Sequence, residues 1–299
     1  MKRVLLTGAR GFIGRHCLPL LIEHGYEVHA LYSGGQPVDE TGVRWHQLDL
    51  LDEAQVSRVV SGVRPTHLLH FAWYTEPGKY WTSMENVAWL RASLNLLEEF
   101  GRSGGVRAVV AGTCAEYDWQ AECCSEESTA LKPATLYGVS KHCLQLMTAA
   151  LAGQLSFSAA WGRIFLLYGP HEHPRRLVPS VIRALLLNER VACSHGTQVR
   201  DLLFVKDVAS AFVSLLGREV EGAFNIASGE PVSVKEVIHR IADKFGRRDL
   251  IDFGALPAAG EPPRIVADTR RLESEVGWRP QYSLDEGLEL TINWWRDRV

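Results

Sequence analysis

The stretch Arg3-Val-Leu-Leu-Thr-Gly-Ala-Arg-Gly-Phe-Ile-Gly14 decides the fold. Its apolar run, Val4 to Leu6, has the character of a buried strand. The run meets Gly8, Gly11 and Gly14, and around and beyond them Phe12, Ile13, Cys17, Leu18, Leu21 and Ile22 recur at helical spacing. The order is strand, glycine turn, helix. Gly8 permits the tight turn, Gly11 lets backbone approach a pyrophosphate, and Gly14 lets helix and strand pack closely. Free N–H groups at a helix start favour phosphate oxygens. The segment therefore reads as a dinucleotide site with contacts at Gly8, Arg10, Gly11, Phe12, Ile13 and Gly14.

The 299 residues, 46% hydrophobic and 22% charged, suffice for a large core in one large domain or two joined ones. A formal charge of -3 and a pI near 6.4 supply no basic footprint for nucleic acid or an anionic membrane. No apolar run in the sequence is long enough to span a bilayer. The run after Met1-Lys2-Arg3 stops at Thr7-Gly8, too short for the core of a signal peptide, so a cytoplasmic location is expected. Cys17, Cys114, Cys123, Cys124, Cys143 and Cys193 form no CxxC pair and no zinc spacing. Reduced thiols are expected.

The first helix is predicted to end near Gly25, and Glu27 to Tyr32 forms a second strand. The residues at its end bear on the cofactor. A carboxylate there would accept from the ribose 2′-OH of NAD and repel the extra phosphate of NADP, but Tyr32 and Ser33 occupy the place. Ser33 as a donor and Arg10 as a cation suit a 2′-phosphate, which favours NADP(H); a solvated Arg10 beside NAD is the alternative. A third strand, Trp45 to Leu48, ends at Asp49-Leu50. There the carboxylate either bonds the adenine amino group, with Leu50 packing the ring, or caps the following helix. Thr66 to Phe71 reads as a fourth strand closing at Ala72, where small residues leave passage for a cofactor.

Trp73 to Trp81 is a loop with four aromatics, placed where binding crevices form, so Trp73 and its neighbours suit stacking on a sugar or base or simple packing. Thr82-Ser-Met-Glu85 resembles a capping box for a helix through Phe100, with Asn86 in its first turn beside the site. Arg107 to Ala111 is a fifth strand, ending at Gly112-Thr113. Five strands alternating with helices argue a doubly wound α/β fold with a parallel sheet covered on both faces.

In Leu136-Tyr-Gly-Val-Ser-Lys141, Tyr137 and Lys141 stand i and i+4 on one helix face. An adjacent ammonium favours phenolate, which would lower the phenol pKa and let the pair move a proton at an alcohol or ketone.

These motifs together make the chain resemble the extended short-chain dehydrogenase/reductase superfamily, in its NAD(P)-dependent epimerase/dehydratase branch. Thr7-Gly-Ala-Arg-Gly-Phe-Ile-Gly14 is similar to its glycine motif and Tyr137-Gly-Val-Ser-Lys141 to its active-site motif, while Thr113 falls at the catalytic Ser or Thr. Arg163 to Pro170, Arg200 to Asp207, Phe224-Asn-Ile226 and Val276 to Pro280 resemble further landmarks. The resemblance covers nearly the whole chain and implies a Rossmann domain over 1-165 with a smaller α/β substrate domain over 166-299, parts of which cross back. It implies Tyr137 as acid/base, Lys141 on the ribose, Thr113 on the reacting oxygen, Phe71, Ala72 and Asn86 near the cofactor, and Trp73 and Arg200 near a nucleotide sugar.

Departures narrow the reaction. Sugar 4,6-dehydratases carry an acid directly after the catalytic Thr, but here Cys114-Ala115 follow, and Glu116, if strand-like, points elsewhere. Leu166 and Ala258 replace two residues that hold a diphosphate in relatives, leaving Arg200, Arg175, Arg176 and Arg264 as candidates. The pair in His171-Glu-His173 has no third ligand nearby, so no metal is expected. The expected activity is reduction of a 4-keto-(6-deoxy) nucleotide sugar; a 4-epimerase with retained NAD is the near alternative, and a non-catalytic scaffold the remote one. The resemblance also implies a homodimer through helices near 83 to 100 and 136 to 152.

Overall fold

The computed structural model describes residues 2-35, 41-257, 260 and 262-299. Its first half runs β1 (Arg3–Thr7), α1 (Gly14–Glu23), β2 (Glu27–Tyr32), β3 (Val43–Gln47), α2 (Glu53–Val63), β4 (His67–His70), α3 (Glu85–Arg102), β5 (Arg107–Thr113), α4 (Leu136–Leu155) and β6 (Ser158–Ile164). The second half adds β7 (Leu166–Tyr168), α5 (Leu177–Leu186), β8 (Val191–Cys193), β9 (Val199–Phe204), α6 (Val205–Leu216), β10 (Gly222–Ile226) and β11 (Pro231–Ser233). It closes with α7 (Val234–Phe245), β12 (Ile251–Phe253), β13 (Arg264–Ile265) and α8 (Leu284–Arg296).

Seven parallel strands form the main sheet in the order β10-β6-β5-β4-β1-β2-β3. Parallel strands need crossover helices, and these cover both faces, so the central strands are apolar without alternation. Val4 and Leu6 of β1 enter one core layer with Leu21 of α1 and Phe212 of α6. Leu5, between them, enters the other with Val60 of α2, Leu97 of α3 and Leu144 of α4. The fold is the doubly wound α/β sheet that the sequence pattern implies.

The part after residue 165 does not stand wholly apart. α6 packs on α1, and β10 pairs with β6 as the seventh strand of the main sheet. What remains is a smaller layer: β11-β9-β13 with β7 on β9, a separate β8-β12 pair, and α5, α7 and α8 around Tyr168, Phe204, Ile241, Leu288 and Trp295.

The helix starts are partly as the sequence reads. Ser283 and Glu286 form a complete capping box at α8. The box expected at Thr82 does not form. α3 begins at Glu85 behind Met84, with no side-chain cap, because the Asn86 amide draws in the carbonyls of Tyr80 at 2.6 Å and Ser83 at 2.8 Å. That turn leaves the Ser83 hydroxyl to accept from the Glu85 amide at 3.2 Å. At α2 the N-cap is Asp52, not Asp49: its carboxylate accepts from the Gln55 amide.

Candidate active site

The strand ends of β1, β4 and β5 and the start of α4 bring the predicted residues to one edge of the sheet. Gly8 has φ +66, and a Cβ on it would lie 3.0 Å from the Ala72 amide nitrogen, so only glycine lets the β1 turn approach Phe71-Ala72 this closely. A Cβ on Gly14 would fall 2.2 Å from the Gly8 carbonyl oxygen. Among the described residues no side chain caps α1 at Ile13, so the first N–H groups of this helix lack a side-chain acceptor. A tight glycine cradle facing such a helix start fits a dinucleotide diphosphate. Phe12 and Ile13 lean on the core of the C-terminal layer, and Leu50 is buried with Leu31 and Val56.

Past β2, the Arg10 guanidinium donates to the carbonyls of Gly34 and Gly35, beside Ser33. Asp49 accepts from the Leu51 amide at 3.0 Å through one carboxylate oxygen. At the β1–β4 junction, the Thr7 hydroxyl accepts from the Phe71 and Ala72 amides, both at 3.1 Å, and lies 2.6 Å from His70 Nδ1. His70 Nε2 in turn lies 2.9 Å from Ser93 Oγ. Burial first, and the nearby Lys141 ammonium second, push the His70 imidazole down to about 3, so it is neutral and serves as a hydrogen-bonding strut. Nothing in the sequence pattern singles out this relay.

Asn86 and Trp73 are both drawn into the packing of the aromatic loop. Asn86 is fully buried, and its amide is spent on Trp73 Nε1 at 2.9 Å and on the two carbonyls that shape the α3 entry. These bonds tie the aromatic loop to the start of α3. Trp73 is also buried, and the Lys141 ammonium sits 3.9 Å from its ring centroid. Its face is occupied. The rings that stand against Tyr137 are Tyr80 and Trp81, edge-on at 4.9 and 5.7 Å, with Trp119 packed on Trp81 at 6.1 Å. Sequence spacing identifies the loop as aromatic; which ring turns inward depends on Asn86.

Thr113 ends β5, and its hydroxyl accepts from the Ala115 amide at 3.2 Å. Tyr137 opens α4 behind the N-cap Thr135, and the Thr113 side chain is within hydrogen-bonding influence of its phenol. Lys141 follows one turn later, and its ammonium donates to the Ala111 carbonyl at 2.9 Å. The three are assembled at one place. The expected depression of the Tyr137 phenol by Lys141 is not found: burial, reinforced by Tyr80, pushes it well above the ordinary range, against the lowering influence of Thr113. Desolvation outweighs the ammonium because Lys141 is turned toward the backbone of β5. Burial also lowers Lys141 to about 7, with Glu116 opposing.

Glu116 lies in a short 3-10 turn, not a strand, and is fully buried. It accepts from Arg163 Nε at 2.8 Å. Its carboxylate is thus held inside the protein by β6, and it sits on a turn, where the sequence pattern allows a strand. Arg200 is buried and donates to the carbonyls of Val199 at 3.0 Å and Pro262 at 2.9 Å. Arg264 donates to the Glu122 carbonyl, Arg175 pairs with Glu76, and Arg176 lies 5.4 Å from the Tyr80 ring. Ala258 lies outside the described residues. Around His171 and His173, Glu172 departs from a solvated loop: it is buried, and its Oε2 has no hydrogen-bond partner among the described residues.

With this geometry in place, the relatives can be weighed. The model of the NAD dependent epimerase/dehydratase family matches residues 4–227, and the chain belongs to that family. Among curated relatives, the dTDP-D-glucose 4,6-dehydratase of Bos taurus is 26% identical, over 99% of this chain and 89% of that protein. The solved structure of MoeE5 in complex with UDP-glucuronic acid and NAD is 30% identical with a TM-score of 0.87, covering 99% of this chain and 100% of that one. The UDP-glucose 4-epimerase of Thermus thermophilus in complex with NAD is 28% identical with a TM-score of 0.85, covering 99% and 100%. These neighbours bind NAD and, in MoeE5, a nucleotide sugar. No helix among the described residues is long and apolar enough to cross a membrane.

The buried Glu172 carboxyl has a consequence for stability. Burial raises it from the ordinary 4.5 to about 8, against the lowering effect of Arg176. Below pH 4.5 it is protonated whether the chain is folded or unfolded; between 4.5 and 8 only the folded state keeps the proton, so stability drains as pH rises. Glu172→Gln is neutral throughout. Its melting temperature relative to the native chain is expected to rise across that window and level off above it, in thermal melts at stepped pH; a constant difference would refute the assignment.

Proposed function

We propose that the chain reduces a keto group on a nucleotide-activated sugar, in particular a 4-keto-6-deoxy sugar, with Thr113, Tyr137 and Lys141 as the reacting constellation. The observation that carries this is the withdrawal of Glu116 into the protein, with Cys114 and Ala115 in the positions after Thr113. Elimination of water needs an acid at the leaving hydroxyl, and none is supplied there. Hydride transfer at a carbonyl needs no such acid; a dihydronicotinamide held at the glycine cradle would supply the hydride. Tyr137, protonated by virtue of its raised pKa, gives its proton to the carbonyl oxygen, and Thr113 hydrogen-bonds that oxygen and fixes its distance. Lys141, one turn along α4, would hold the ribose of the dinucleotide. Tyr80 and Trp81 exclude water from the phenol. Arg200 on β9 and Arg264 on β13 are the cations proposed for the diphosphate of the substrate.

The dinucleotide proposed is NADP(H), bound and released in each turnover. Arg10 beside Ser33 supports this, in the absence of a carboxylate at the end of β2. A second reading, a 4-epimerase that retains NAD, is favoured by the likeness to the Thermus thermophilus epimerase. A proposed homodimer would bury the face of α4 on which Val139, Cys143, Leu146 and Met147 recur at helical spacing and stand exposed, alongside α3.

Three measurements test this reading. Dinucleotide released by denaturing fresh protein, followed by separate NADPH and NADH titrations, is expected to show exchangeable binding with NADPH preferred. Stoichiometric, retained NAD with interconversion of UDP-glucose and UDP-galactose would replace the reductase by the epimerase. Tyr137→Phe is expected to lose about 10²- to 10⁴-fold in turnover with dinucleotide affinity kept; full biological activity in that variant would point to a scaffold. Light scattering at micromolar concentration is expected to give a dimer mass, reduced to monomer by Leu146→Glu, and a native monomer would refute the interface.

A further inference from the structure

Glu116 is a buried charge at the heart of the site that the proposed reaction does not use. Both carboxylate oxygens are engaged: Oε1 accepts from the Thr113 amide and from Trp161 Nε1, each at 2.9 Å, and Oε2 from Arg163 Nε at 2.8 Å. Room for this arrangement depends on Gly112, where a Cβ would fall 2.0 Å from Trp161 Nε1 and 2.7 Å from Glu116 Oε1. The turn that Glu116 closes also seats α4. A Cβ on Gly138, the residue after Tyr137, would lie 2.4 Å from the Ala115 carbonyl oxygen.

The guanidinium is braced in its turn. Arg163 donates to Tyr117 Oη at 3.0 Å and to Gln145 Oε1 at 3.2 Å, and Tyr117 donates to Asn225 Oδ1 at 2.8 Å. One carboxylate therefore ties the end of β5 and the seat of α4 to β6, and through Tyr117 to β10.

We propose that Glu116 is a positioning residue: through the Thr113 amide and the Cys114–Glu116 turn, it sets the Thr113 hydroxyl against the Tyr137 phenol without itself meeting the substrate. The proposal rests on the reading of Thr113, Tyr137 and Lys141 as the reacting groups. Its charge acts on the same groups. Glu116 favours the ammonium of Lys141 and disfavours the phenolate of Tyr137. The other groups coupled to this site are His70 from β4, Arg163 from β6, Tyr80 from the aromatic loop and Cys114. Loss of the negative charge weakens proton binding at Lys141 and Tyr137 alike.

The test uses the full chain and two variants. In Glu116→Gln, kcat for the keto sugar is expected to fall about 10- to 100-fold with KM little changed, and the pH profile of kcat to move to lower pH. Lysine side-chain NMR on the protein alone, with the Lys141 resonance assigned by its loss in Lys141→Met, is expected to show the Lys141 midpoint moving below its native value of about 7. Glu116→Asp keeps the charge but is one methylene shorter; it is expected to retain the Lys141 midpoint and still lose kcat, and it carries the test if the Gln variant does not fold. Native kcat in either folded variant, or an unmoved Lys141 midpoint in Glu116→Gln, overturns the proposal. If the native chain turns over no keto sugar, the reductase reading fails while the NMR titration still decides the coupling between Glu116 and Lys141.

Discussion

The buried ion pair between Glu116 and Arg163, with side chains 0% and 1% exposed, is the interaction on which the site depends. Taking two charges out of water costs several kcal/mol per ion, and their attraction repays this only when every remaining lone pair and N–H is satisfied. Here Trp161, Tyr117, Gln145 and the Thr113 amide supply further hydrogen bonds to the pair. Such a network tolerates one arrangement of its members, and that arrangement holds the end of β5 against the start of α4.

A second constraint comes from the sheet. Strand order reverses beside β1, with β4 on one side and β2 on the other, so crossovers leave in opposite directions and open a crevice at the strand ends. Thr7 and His70 bond across that crevice, and the turn fits against Phe71-Ala72 because Gly8 carries no side chain. The cradle and the residues proposed as catalytic thus lie at the ends of β1 and β5 and the start of α4.

Much of this was legible from local pattern. Gly8, Gly11 and Gly14 between an apolar run and a helical period, Tyr137 and Lys141 at i and i+4, and Ser283 with Glu286 are signals carried within a few residues. They are reliable because turn sterics, helix geometry and capping act over that same range. Where a tertiary partner competes, the pattern misleads. Thr82 and Glu85 have the spacing of a capping box, yet Asn86 recruits the neighbouring carbonyls and the helix starts late. For Trp73 the pattern left stacking and packing open, and the structure packs the ring: Lys141 lies 3.9 Å from its centroid and Asn86 accepts from its N–H.

By itself the sequence determined the doubly wound sheet and the glycine cradle, and it singled out Thr113, Tyr137 and Lys141 as the residues proposed to bear the chemistry. Hydrophobic period and glycine spacing encode backbone conformation directly. Only the tertiary structure decided the protonation of Tyr137 and Lys141, the rings that face the phenol, and the withdrawal of Glu116. Desolvation and buried hydrogen bonds depend on groups brought from distant segments: Glu116 meets Trp161 and Arg163 across 45 and 47 residues of chain, a pairing no local spacing records.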